Sequence, residues 1–120
     1  MDQKSIELGR RAVACEGWRW VAGMRVFNPE MPRIWYPRVG DDRKPRHGFL
    51  LPDLSDPATL GCLLALVREV WGLPGLVAWR RADTGLWFVD EDEQGPCCVG
   101  QSEAEVLVSA LTGPNSGVAP

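Results

Sequence analysis
The stretch that decides the fold is DPATLGCLLALVREVWG, residues 56–72. Its ends are punctuated as helix ends. The Asp56 carboxylate can accept from the free N–H groups of a first turn, Pro57 fits a position that needs no N–H, and Gly72 can stop the helix at little steric cost. Leu60, Leu63, Leu64, Val67 and Trp71 fall on one helical face, while Cys62, Ala65, Leu66 and Val70 carry apolar character round the other sides. Only Arg68 and Glu69 clearly favour water. A helix so apolar predicts the spine of a single core.

Working outward, residues 2–14 carry a broken apolar stripe through Ile6, Leu8, Ala12 and Val13 and predict a surface helix that Gly9 weakens. From Gly17 to Phe27 the period drops to two, with Trp18, Trp20 and Ala22 on one face of an expected strand that Gly23 interrupts. Pro29, Pro32, Pro37 and Pro45 are spaced too closely for a helix, leaving room for a short edge strand through Ile34, Trp35 and Tyr36, a turn at Gly40–Asp42 and an extended piece near His47–Leu51. Beyond the central helix, GLVAWRRADTGLWFVD predicts a hairpin around the three-residue loop Asp83-Thr84-Gly85, with Val77 and Trp79 packed near Trp87 and Val89. A charged turn at Asp90–Glu93 and a further strand at about residues 96–100 follow. Ser102 and Glu105 then form a capping box ahead of a short amphipathic helix through Ala104, Leu107, Val108 and Leu111.

These elements predict an α+β fold, an antiparallel sheet of about four to six strands with a central apolar helix and two shorter helices. The domain runs from residue 1 to 112, and residues 113–120 form a disordered tail. A chain of 120 residues buries about two-thirds of its extended surface, enough for one core without metal or disulfide staples. No apolar run is long enough to span a bilayer, and MDQKSIELGRR has no signal-peptide centre. The expectation is a cytoplasmic protein with no membrane association, whose Cys15, Cys62, Cys97 and Cys98 are reduced thiols.

Charge is uneven along the chain. Residues 1–50 carry ten Lys and Arg against six Asp and Glu, while residues 51–120 carry three against ten. The preferred reading is that the halves neutralise each other within one globule; a charged partner or a self-complementary oligomer are the alternatives.

The sequence carries no catalytic signature, metal-ligand spacing or phosphate-binding loop, so no cofactor and no metal are expected. What stands out is a concentration of tryptophan and arginine in the loop-rich first half, the composition of protein-binding hot spots. Trp71, Trp79 and Trp87 are assigned to the core. Trp18, Arg19, Trp20, Arg33, Trp35, Tyr36, Arg38, Arg43, Lys44 and Arg46 make the candidate interface. The second reading is a nucleic-acid binder, because arginine interleaved with aromatics over residues 33–47 can track phosphates and stack bases, although Asp41 and Asp42 oppose it. The third is a cysteine-dependent enzyme in which His47, the single histidine, activates a thiol.

LGRRAVACEGWRWVAGMRV, residues 8–26, and LSDPATLGCLLALVREVWG, residues 54–72, resemble small uncharacterised proteins of tailed bacteriophages and prophages, and SEAEVLVSAL is similar to their final helix. The resemblance covers about 40 percent of the chain and includes no catalytic residue. It implies a bacterial host cytoplasm and a dispensable, host-modulating accessory role, for which binding a host or phage protein is the usual route. Separately, a homodimer is among the expected partners.

Overall fold
The computed structural model describes residues 3–40, 45, 49–90 and 98–112. In chain order the elements are α1 (Gln3–Ala14), β1 (Val26–Phe27), β2 (Leu51–Pro52), α2 (Pro57–Trp71), β3 (Val77–Arg80), β4 (Trp87–Asp90), β5 (Cys98–Gly100) and α3 (Glu103–Leu111). The fold is α+β. Its strands form two small antiparallel sheets in place of one larger sheet: β1 pairs with β2, and β3, β4 and β5 lie side by side in that order. The proposed tail, and most of the charged turn after Asp90, fall outside the described residues.

The helix ends predicted from residues 56–72 are present in detail. Asp56 is extended and its carboxylate accepts from the Thr59 N–H at 3.0 Å, Pro57 opens the helix, and Gly72 adopts φ 65°. The Leu73 N–H closes back onto the Arg68 carbonyl at 3.1 Å, which completes a left-handed C-terminal cap. Gly61, Ala65 and Glu69 face solvent, so the outer stripe of α2 is apolar mainly through small residues that lose little by exposure. Its inner stripe buries Leu63, Leu66 and Val67 completely.

The deepest element is α3. Val106, Leu107, Val108, Ala110 and Leu111 are all buried, because α3 packs against α1, α2 and the three-stranded sheet together. Ser102 caps it, its hydroxyl accepting from the Glu105 N–H at 3.1 Å, while the Glu105 carboxylate reaches Lys4 Nζ at 3.4 Å. At the far end the Trp71 indole donates to the Ala110 carbonyl at 2.7 Å, satisfying an acceptor that helix termination leaves open and fastening α2 to α3. Thus the core spine is shared, with α3 the more enclosed half.

Two strand expectations are corrected. Residues 18–22 form no strand despite their alternation. The Met24 N–H instead turns back onto the Val21 carbonyl at 3.1 Å, Gly23 takes φ 100°, and the strand that pairs with β2 begins at Val26. Ile34, Trp35 and Tyr36 likewise form no edge strand, since the preceding residues turn on themselves through Met31 N–H to Asn28 O and Ile34 N–H to Met31 O, both 3.1 Å.

The hairpin exists with a shifted register. Arg81 N–H donates to Leu86 O at 2.8 Å, and Trp79 stands opposite Phe88, so the loop has four residues, Ala82 through Gly85, instead of three. Gly85 supplies the left-handed conformation, φ 74°. One additional loop residue changes which side chains share a face. Ala78, Trp87, Val89 and Cys98 face the core, whereas Val77 and Trp79 stand on the opposite face with Phe88 and Val99. Trp79 is therefore not a core residue.

Where β5 meets α3 the backbones touch: a Cβ on Gly100 would lie 2.7 Å from the Val106 backbone nitrogen. Neither element can yield without disturbing the core, so Gly100→Ala is expected to lower stability by about 1–3 kcal/mol. Urea unfolding should show a lower midpoint at an unchanged m value.

Candidate functional site
The segment between β1 and β2 carries most of the candidate interface, and its described part is fixed to the body at definite points. Asn28 is buried and its side-chain oxygen accepts from the Glu30 N–H at 3.0 Å, starting the turn that leads into Met31 and Ile34. At the other end Val39 is buried and exchanges backbone hydrogen bonds with the start of the chain's return: Gly23 N–H to Val39 O is 2.8 Å, and Val39 N–H to Met24 O is 2.9 Å. Pro29, Pro32 and Pro37 limit the backbone freedom between these anchors.

The second anchor is electrostatic. Arg38 straddles Asp56, with Nη1 to Oδ2 at 2.7 Å and Nη2 to Oδ1 at 3.0 Å, and also donates to the Gly23 carbonyl at 3.0 Å. The same carboxylate caps α2 and accepts from the fully buried Thr59 hydroxyl at 2.9 Å. That hydroxyl oxygen in turn accepts from the Arg25 N–H at 2.8 Å. The Arg38 guanidinium, with help from the two Thr59 donors, holds the Asp56 carboxyl well below the usual carboxylate range despite partial burial. Arg38, expected at the interface, is exposed and also serves as a structural tie.

The other expected residues divide similarly. Trp18 and Trp20 form an edge-to-face pair, ring centres 5.2 Å apart, and pack half-buried against the core with Tyr36. Trp18 Nε1 is buried without an acceptor among the described residues, a cost of about 1–3 kcal/mol set against the large apolar area of that packing. Arg19 pairs with Glu69 at 2.6 Å. Arg33 is exposed without an ion pair among the described residues. Arg43, Lys44 and Arg46 lie outside the described residues, as do His47 and Cys97.

Four of the five ion pairs among the described residues join the basic first half to the acidic second half: Lys4–Glu105, Arg19–Glu69, Arg25–Asp53 and Arg38–Asp56. Part of the charge asymmetry is thus met by internal pairing between the two halves.

Large apolar side chains are also left at the surface. Trp35 is 74 % exposed, Met31 and Ile34 beside it in sequence are exposed, and so is Phe49 further along the chain. Trp35 and Arg33 were legible as candidates; Met31, Ile34 and Phe49 were not, although large apolar residues within a proline-rich loop give a usable signal. Burial pushes Cys15 and Cys62 up from the ordinary thiol value, Asp56 pushes Cys62 further, and both donate to backbone carbonyls, of Arg11 and Ala22 respectively. Among the described residues no helix is long and apolar enough to cross a membrane. Comparisons with protein-family models, curated proteins and solved structures found no match.

Replacing Asp56 by Asn keeps a cap but removes the fork for Arg38. Because the folded carboxyl is held low, its stabilisation is present above the unfolded-state pKa of about 3.9 and fades as pH falls below that value. Asp56→Asn should cost about 1–2 kcal/mol near pH 7, and the gap to the wild type should narrow steadily from pH 5 towards pH 2 in denaturant titrations.

Proposed function
We propose that this is a non-enzymatic accessory protein that acts by binding another protein through the loop bearing Trp35. One observation carries the reading: a tryptophan left 74 % exposed on a segment whose ends are fixed by buried residues and by the Arg38–Asp56 fork. An exposed indole is a poor solution for a chain that has a core to bury it in, and large apolar side chains left in water are the usual anchors of an interface. The turn hydrogen bonds at Met31 and Ile34, together with Pro32, arrange the loop before a partner arrives, which reduces the ordering cost of binding. Arg33, two residues away, supplies a guanidinium at the rim.

The phage or prophage setting and the bacterial cytoplasm rest on the resemblance of residues 8–26 and 54–72 alone. Nucleic-acid binding is the competing use of the same segment. Among the described residues it has lost Arg38 to Asp56, and Arg33 is the cation left beside Trp35.

A pull-down from bacterial lysate with the tagged protein, with and without nuclease, tests this reading. A partner retained after nuclease and weakened at least tenfold by Trp35→Ala is the expected result. Capture that disappears with nuclease would favour nucleic acid, and capture indifferent to Trp35→Ala would remove the loop from the site.

A further inference from the structure
We propose that the free edge of β3 pairs with the same edge of a second copy of this chain, forming a continuous six-stranded antiparallel sheet. The exposed face of the three-stranded sheet supplies the first observation. Trp79, Phe88 and Val99 are cross-strand neighbours in one row, with Trp79 stacked on Phe88 at 5.0 Å between ring centres. Trp79 is 39 % exposed and Val99 54 %, and Val77 in the next row on the same face is 44 % exposed, so this face carries apolar surface in water opposite the helices. It is separate from the Trp35 loop, and the inference stands whether or not that loop binds a protein.

The second observation is the direction of the backbone groups. The Arg81–Leu86 hydrogen bond fixes the alternation along the hairpin: Trp79 and Val77 turn their N–H and C=O groups towards β4, so Ala78 and Arg80 turn theirs to the open side. Among the described residues no strand lies beyond β3. An edge of this kind is a template for strand addition, and no proline, bulge or glycine interrupts it.

The third is that one register is self-complementary. With the two-fold axis between the two copies of Trp79, Ala78 of each chain pairs with Arg80 of the other, which uses every outward-facing N–H and C=O of β3. The two Trp79 side chains then meet across a position without hydrogen bonds, where cross-strand side chains approach most closely. The apolar band runs unbroken as Val99, Phe88, Trp79 and then Trp79, Phe88, Val99 of the second copy. In that register Arg81 of one copy stands opposite Val77 of the other, in the same row and on the same face as Asp90, which is paired with Val77. A guanidinium now held at the surface by Asp83 at 2.8 Å thereby gains a carboxylate on the second copy. The self-complementary register and the placement of Arg81 in the row of Asp90 argue for a second copy as the occupant.

Analytical ultracentrifugation of the full chain between about 1 and 200 µM tests the pairing. The expected result is a concentration-dependent dimer whose dissociation constant rises at least tenfold in Trp79→Lys and in Ala78→Pro, and stays unchanged in Trp35→Ala. Circular dichroism establishes that each variant is folded, and Trp79→Lys serves if Ala78→Pro is not. Mild oxidation of Trp79→Cys should in addition give a disulfide joining position 79 to position 79, identified by peptide mass spectrometry. A protein monomeric throughout this range, a dimer insensitive to both edge substitutions, or a dimer that yields no link at position 79 would each overturn the proposal.

Discussion
The Asp56 carboxylate is the point on which the two halves of this chain depend. It ends the irregular approach to α2, caps that helix through Thr59, and receives the Arg38 guanidinium in a two-pronged fork. Helix capping is a local interaction worth about 1 kcal/mol by itself. Its structural weight here comes from convergence, because Thr59 also accepts from Arg25 and Arg38 also donates to Gly23. The described part of the segment bearing Trp35 is thereby tied to the first turn of α2.

The charge pattern follows the same logic. The basic first half lacks regular elements that could build a core alone, and the acidic second half contains α2, α3 and the three-stranded sheet. Pairing across the halves at Lys4, Arg19, Arg25 and Arg38 holds the one against the other. Exposed pairs contribute little individually, so the fold still rests on the apolar burial around α3. What the Arg38–Asp56 pair adds is placement: it ties the segment bearing Trp35 to the start of α2.

Features set by local chemistry were legible in the sequence, and features set by register or competition for partners were not. Asp56, Pro57, Gly72 and Ser102 specify helix ends within a few residues, and all four behave as their types require. Trp18 and Trp20 alternate as strand residues do, yet an alternating run becomes a strand only where another strand is available, and the chain turns at Val21–Met24 instead. The hairpin was visible but its parity was not. Gly85 serves a three-residue or a four-residue loop equally well, and the difference decides whether Trp79 faces core or solvent. Arg38 looked like its neighbours in a basic stretch; only the fold brings Asp56, eighteen residues later, within its reach. Of the expected interface, Trp35, Arg33, Arg19 and Arg38 are exposed among the described residues, the last two while ion-paired, and Trp18, Trp20 and Tyr36 are half-buried against the core.

Native-state hydrogen exchange on Arg38→Gln measures most directly whether the Asp56 fork holds the loop. The fork predicts that the amides of Gly23 and Val39 lose about tenfold or more of their protection, whereas those of Leu66 and Val67 in α2 keep theirs. Unchanged protection at Gly23 and Val39 would show that the loop is held without Arg38, and would contradict the account.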